Sequence, residues 1–384
     1  MARLKVCAVT GSRAEYGILA PVLRAIDDEA ALELQLVVTG MHLAPEFGLT
    51  WKTIEAEGFH IAERVEMLLS SDSAVGTAKS IGLGVAGLAD AFSRLRPDVV
   101  LVLGDRFETF AAAQAACVLL LPLAHIAGGD VTEGAYDEAF RHAITKMAQI
   151  HFVTNGDSAR RVRQLGENPA RVHEVGSPAL DVMRSMRLLD REDVEERLGW
   201  RLRRRNLLVT YHPATMEGEA NRSHMEALLE ALDSLGTDVG LVFTQPNADT
   251  GGRELGAMVE RFVAAHANAV FYSSLGQPLY WSCMKACDAV VGNSSSGLYE
   301  APSLKVPTVD VGDRQRGRLR AASVLHCAPE KAAIVDTIRQ ALALDCAKVV
   351  NPYGDGHSAE RIVAVLRGLG DPRALLKKRF FDHG

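Results

Sequence analysis

The sequence predicts an α/β chain made of two doubly wound domains in tandem. Three observations carry this. Short apolar runs rich in β-branched residues alternate with longer amphipathic stretches from end to end. The alternation starts again after a charged segment near the middle. The residues best suited to chemistry fall just after the apolar runs.

In the first half, strands are expected at 4–10, 33–39, 99–103, 121–126, 151–154 and 172–175. Helices are expected near 16–28, 74–95, 106–118, 137–149 and 156–166. Apolar strand cores separated by helices argue for a parallel sheet covered on both faces. In the second half, strands are expected at 206–211, 239–244, 269–272, 289–291 and 308–311. Its helices are expected near 219–235, 252–265, 277–286, 296–303 and 330–344. The charged segment 183–205 ends in the basic run 201–205 and reads as a solvated linker or helix face. The expected division is a first domain over 1–180, a linker region over 181–205 and a second domain over 206–384. Open parallel sheets bind ligands beyond the carboxyl ends of their strands, so two such domains facing a central cleft would hold a ligand there.

Composition narrows the function classes. The 384 residues exceed what one hydrophobic core usually supports. Hydrophobic residues at 48% and charged residues at 23% are ordinary for a soluble globular protein. Lys+Arg 42 against Asp+Glu 48 gives a net charge of −6, so nothing overall favours nucleic acid or an anionic membrane. Any phosphate must then be held by local arginines and backbone N–H groups. No signal-like leader or membrane-length apolar run is present, and a cytoplasmic location is expected. The six cysteines are dispersed and read as buried free thiols. No metal-ligand spacing, Walker A sequence or Gly-x-Ser-x-Gly elbow occurs, and neither metal nor cofactor is expected.

The strand-end motifs of the first half come in order. Thr10-Gly11-Ser12-Arg13-Ala14-Glu15-Tyr16-Gly17 opens a helix directly after the first strand. A tight turn feeding a helix N-terminus suits phosphate, and Arg13 offers a charge-assisted contact. A dinucleotide fingerprint would need a glycine at position 13, which disfavours a dehydrogenase. Leu103-Gly104-Asp105-Arg106-Phe107-Glu108 places an acid beside an arginine at a strand end; an internal ion pair capping the helix is the bland alternative. The loop from His125 through Gly128, Gly129, Asp130 and Glu133 to Asp137 and Glu138 crowds acids together and leads to Arg141 and His142. Some of these acids cap the following helix, where negative charge is favourable. The rest are available for proton transfer.

The second half supplies Tyr211-His212-Pro213 after its first strand and Gln245-Pro246-Asn247 after its second. The most informative stretch is Gly292-Asn293-Ser294-Ser295-Ser296-Gly297-Leu298-Tyr299-Glu300. Three hydroxyls and two glycines before a helix make a nest for a diphosphate. Glu300, about one turn further on, is placed to accept both hydroxyls of a ribose. Arg314, Arg316 and Arg318 follow the last expected strand.

These motifs, in this order, resemble the hydrolysing UDP-N-acetylglucosamine 2-epimerases of sialic and legionaminic acid biosynthesis. The likeness runs from position 9 to position 356, nearly the whole chain. It implies two Rossmann-like domains arranged as in the B-type glycosyltransferases. It also implies a reaction in which the C2 proton is removed, UDP leaves C1 to give a 2-acetamidoglucal, and water adds to release the 2-epimeric sugar. By the resemblance, Arg13 and His212 meet the diphosphate, Ser294 and Ser295 bind phosphate with Ser296 and Gly297 completing the turn, and Glu300 holds the ribose. Asn247 and Arg314 line the cleft. Asp105 and Asp137 are the first choices for proton transfer, with Arg106 alongside as a substrate contact. Asp130, Glu133 and His212 complete the catalytic set. Ala127 stands where several members carry a glutamate, so either Asp130 or Glu133 is expected to take over that task or the sugar pocket is expected to differ. One extra residue also separates the Gly-Gly-Asp stretch from Asp137.

The resemblance implies UDP-N-acetylglucosamine as substrate, with UDP-N,N′-diacetylbacillosamine as the alternative. It further implies a homodimer or homotetramer, for which the surface of helices 74–95 and 106–118 is a candidate contact. Two other classes remain open at this point. A glycosyltransferase would keep the UDP site but need an acceptor groove. A non-catalytic UDP-sugar-binding protein would have no use for Asp105 and Asp137.

Overall fold

A computed structural model describes residues 3–71, 73–131, 137–213, 220–245 and 252–382. The chain divides into two units, Met1–Val182 with Tyr353–Gly384, and Met183–Pro352.

The first unit is built on seven parallel strands: β1 (Leu4–Thr10), β2 (Leu32–Thr39), β3 (Ile61–Val65), β4 (Val99–Leu103), β5 (Leu123–Ile126), β6 (Ile150–Val153) and β7 (Val172–Glu174). Their order is β3-β2-β1-β4-β5-β6-β7. Successive side chains point to opposite faces, and both faces are covered. Val6, Ala8, Leu101 and Ile126 pack with residues of helices Arg13–Asp28 and Ser358–Arg367. Cys7, Val9, Val100 and Val102 pack with residues of Ala74–Leu95 and Phe107–Val118. This two-sided burial is why Val99–Leu103 reads as an unbroken apolar run, with all five residues buried.

The second unit repeats the plan with β8 (Arg205–Thr210), β9 (Val239–Thr244), β10 (Ala269–Tyr272), β11 (Ala289–Gly292), β12 (Thr308–Val311) and β13 (Val324–Cys327), in the order β10-β9-β8-β11-β12-β13. Leu207 and Val209 face Leu228, Ile334 and Ile338, whereas Leu208, Val242 and Val290 face Val194, Leu198 and Met284. In each sheet the winding reverses beside the first strand: β1 lies between β2 and β4, and β8 between β9 and β11. The crevice beyond the carboxyl ends at such a reversal is where this class of sheet binds ligands.

Several expectations need correction. β3 and β13 are edge strands with half-buried patterns, so neither has the apolar run that marks a central strand. The segment expected as linker contains helix Arg191–Leu198, whose Val194 and Leu198 are buried in the second unit. The helix expected over 296–303 is a single turn, Ser296–Tyr299; Pro302 biases the residue before it away from the helical region. The chain expected to stay in the second domain to residue 384 instead returns to the first. Ile362 and Leu366 are fully buried beside Leu19 and Leu23, and Asp181 accepts from the N–H groups of Ser358 and Ala359 at 3.1 and 2.9 Å. Of the six cysteines, all free, only Cys117 is exposed. Among the described residues no helix is long and apolar enough to cross a membrane.

Candidate active site

In the first unit, the loops after β1, β2 and β4 meet. Ser12 caps helix Arg13–Asp28 by accepting from Glu15 N–H at 3.4 Å, and Glu15 reaches back to accept from Gly11 N–H at 3.4 Å. This is the reciprocal logic of a capping box, displaced by one residue. Burial and the nearby Glu108 push the Glu15 carboxyl up to about 8. His42, after β2, lies between the hydroxyls of Thr10 and Thr50 at 3.2 and 2.7 Å, and burial lowers its pKa to about 4. Arg13 is exposed at the helix start and has no hydrogen-bond partner among the described residues.

Beyond β4, Asp105 is ion-paired to Arg141, a buried residue of helix Asp137–Met147. Arg141 also donates to the Asp130 carbonyl at 2.8 Å and to Glu138 at 3.0 Å, and Glu138 in turn meets His142 at 3.1 Å. Burial raises the Asp105 pKa, and the Asp137 charge adds to it, against the opposing pull of Arg141. The Asp137 side chain has no hydrogen bond among the described residues, yet its charge is felt by Asp105, Arg106 and Glu108. A partly desolvated carboxylate held in one orientation is what proton abstraction from carbon requires. Asp130 is placed differently. One of its oxygens accepts from Thr154 and Ser158, both at 2.6 Å, so the side chain braces the loop after β5. Ala127 occupies the left-handed region with φ 65°, an uncommon conformation for a residue with a Cβ.

In the second unit, Asn293 ties the loop after β11 to the loop after β8. Its side chain accepts from His212 N–H at 2.7 Å and donates to the His212 carbonyl at 2.8 Å. Arg314 and Gln315, after β12, both donate to the Asn293 carbonyl, at 3.2 and 2.7 Å. Ser296 donates to Ser294 at 3.0 Å and lies 2.7 Å from the Tyr280 hydroxyl. The Ser295 hydroxyl has no partner among the described residues. A cavity of about 390 Å³ opens here, lined by His212, Ser294, Ser296 and Glu300 together with Thr244, Tyr280 and Trp281. Burial lifts Glu300 to about 7, against a hydrogen bond from Trp281. The cavity offers hydroxyls, ring edges and a carboxyl at the sheet's reversal, which suits a phosphorylated nucleoside.

The family model described as UDP-N-acetylglucosamine 2-epimerase matches residues 24–367. The chain belongs to that family. It is 38% identical over 326 residues, 85% of this chain and 84% of the relative, to a Campylobacter jejuni GDP/UDP-N,N'-diacetylbacillosamine 2-epimerase (hydrolyzing). It is 33% identical to a Legionella pneumophila UDP-N,N'-diacetylbacillosamine 2-epimerase (hydrolyzing), covering 97% and 98% of the two chains. Its fold matches that of Neisseria meningitidis UDP-GlcNAc 2-epimerase bound to UDP-GlcNAc, with a TM-score of 0.78, 21% identity, and 94% and 99% of the chains covered.

Within this epimerase, the expected residues fall into two groups. Asp105, Arg106, Asp130 and Asp137 gather around Arg141 and Glu108 in the first unit, with Arg13 at the adjacent helix start. His212, Ser294, Ser296 and Glu300 line one cavity of the second, and Ser295, Gly297 and Arg314 belong to the same strand-end loops. Gly297 serves packing, since a Cβ there would meet Thr308 Cγ2 at 2.5 Å. Glu133 and Asn247 lie outside the described residues. The same two clusters also include residues not anticipated from the sequence. Arg141 and Glu138 were visible only as neighbours of the acidic loop. Glu15 could have been found from its spacing to Ser12. Tyr280 and Trp281 carry no local signal, because only the fold brings their helix to the β11 loop.

Proposed function

We propose that this chain is a hydrolysing 2-epimerase that acts on UDP-N,N′-diacetylbacillosamine, releasing UDP and the free 2-epimeric sugar. The observation that carries the chemistry is the Asp105–Arg141 pair beyond β4. It presents a carboxylate whose basicity is raised by burial while its orientation is fixed by an ion pair. Asp105 takes the C2 proton, and Asp137, whose charge Asp105 feels, handles the second proton transfer. The second unit holds the leaving group: Ser294, Ser295 and His212 take the phosphates, and Glu300 the ribose. Departure of UDP is eased because backbone N–H groups and hydroxyls bind the diphosphate more strongly as its charge grows. Water addition to the resulting glycal gives the free sugar. The acidic cluster supports this reading over a glycosyltransferase or a non-catalytic binder, neither of which needs paired carboxylates on the sugar side.

The names of the Campylobacter and Legionella relatives support the diacetylated sugar. UDP-N-acetylglucosamine is the second reading, supported by the family's own description. Incubation with each sugar nucleotide, followed by chromatography and NMR, should show UDP and a 2-inverted free sugar from one of them. Intact sugar nucleotide in every reaction would defeat the proposal.

A further inference from the structure

The proposed chemistry leaves His125 unused. This residue of β5 is fully buried, although its imidazole carries two polar nitrogens. Both are matched. Nε2 lies 2.8 Å from the Gly104 carbonyl oxygen, and Nδ1 lies 3.2 Å from Thr145 Oγ1. A carbonyl only accepts, so Nε2 carries the proton. Burial lowers the ring's pKa to about 3, with His151 and Arg141 adding to that and the Gly104 bond opposing it, so Nδ1 is bare. Thr145, also fully buried, stands 3.0 Å from the Arg141 carbonyl as well. That carbonyl has the helix's own i→i−4 bond, which leaves the Thr145 hydroxyl proton for the imidazole. Gly128 clears the space: a Cβ there would meet Thr145 Oγ1 at 2.9 Å and His125 Nδ1 at 3.0 Å.

The two partners of this ring lead to the two halves of the Asp105–Arg141 pair. Gly104 immediately precedes Asp105, in the left-handed region at φ 78°, and its N–H donates to the Ile126 carbonyl at 3.0 Å. The peptide joining Gly104 to Asp105 is planar, so fixing its carbonyl fixes where the Asp105 backbone begins. Thr145 lies four residues after Arg141 on helix Asp137–Met147, and so on the same face. One buried ring therefore joins the backbone of the proposed base to the helix that supplies its ion-pair partner.

We infer that His125 is a positioning residue for proton abstraction, holding Asp105 in place against the helix that carries Arg141. The inference rests on the epimerase reading above, and it gives His125 neither a contact with substrate nor a proton to transfer. A reacting group misplaced by about 1 Å loses on the order of 10²-fold in rate, which is the scale of effect such a brace controls.

Two amide substitutions separate the two bonds. In His125→Gln the amide N–H reaches where Nε2 stood and keeps the Gly104 bond; in His125→Asn the amide reaches only the Nδ1 position and loses it. His125→Asn should lower kcat at least tenfold, with His125→Gln within about threefold of wild type. The two variants should share one melting temperature and one inhibition constant for UDP. A C2-deuterated sugar nucleotide should show a larger isotope effect on UDP release with His125→Asn than with wild type. The pH profile of kcat/KM should keep its limbs at reduced height. From the helix side, Thr145→Val should lower kcat about fivefold while Thr145→Ser stays near wild type, which decides the question if a His125 variant folds poorly. Equal losses in the Asn and Gln variants, equal activity of Thr145→Val and Thr145→Ser, an unchanged isotope effect, or a limb of the pH profile lost with His125 overturns the positioning role alone. A wild-type enzyme that releases no UDP from either sugar nucleotide overturns the epimerase reading and this role with it.

Discussion

Asp105 shows how much of a site's chemistry is set by one neighbour. Burial raises its pKa, yet Arg141 keeps it paired and oriented. Asp105→Asn preserves the shape and removes the base, so turnover should fall by about 10²–10⁴. UDP affinity measured by calorimetry should change little, because Asp105 is not among the residues proposed to hold UDP. Glu300→Ala should do the reverse and weaken UDP binding directly. Glu15 makes a different prediction. Its folded pKa of about 8 lies above the ordinary 4.5, so ionisation costs the folded state. The penalty is absent below the ordinary value, grows as pH rises from 4.5 to about 8, and is constant above that. Glu15→Gln should therefore melt higher than wild type at pH 8.5, with the gap vanishing by pH 4.5; a gap independent of pH would count against the assignment. Asp105 and Ser294 could be singled out in the sequence because each closely follows an apolar strand, and Asp137 because it ends an acidic loop that leads into a helix. The Arg141 partnership was not, since it joins residues 36 apart that only the sheet brings together.

At the scale of elements, the turn after β11 depends on one glycine. Gly292 has φ 134°, and a Cβ there would lie 2.0 Å from the Thr210 carbonyl oxygen. Gly292→Ala must push β8 and β11 apart, which would displace Asn293 and the His212 loop it ties down. Loss of UDP binding together with a lowered melting temperature is expected, measured by calorimetry and circular dichroism. Central strands such as β4 and β8 could be read from sequence because two-sided burial leaves a continuous apolar signature. β3, with Glu63 and Arg64 in its middle, and β13, with His326, could not, since an edge strand needs only one apolar face. The serine-rich turn was legible as a loop before a helix. That the helix has one turn was not, so a phosphate at this turn would be stabilised by hydroxyls and local N–H groups more than by a macrodipole.

Across the whole molecule, the last helix belongs to the first unit although the chain reaches it from the second. Nothing in the local pattern of Ser358–Arg367 says which sheet it covers; the partner is decided by the fit of Ile362 and Leu366 beside Leu19. Leu366→Ala should cost about 2–5 kcal/mol, and hydrogen exchange should register it in β1 and β2 while leaving β8 and β9 protected. Equal loss of protection in both sheets would show that the units do not hold separate cores. The proposed division of labour follows the same partition: acids on one sheet, and on the other the cavity proposed for the nucleotide. Its most direct test is the reaction run in D2O with the preferred sugar nucleotide, followed by NMR of the released sugar. Abstraction at C2 by the Asp105 cluster predicts deuterium at C2 of the inverted product, with UDP released alongside. A product that keeps its original C2 proton would contradict the account.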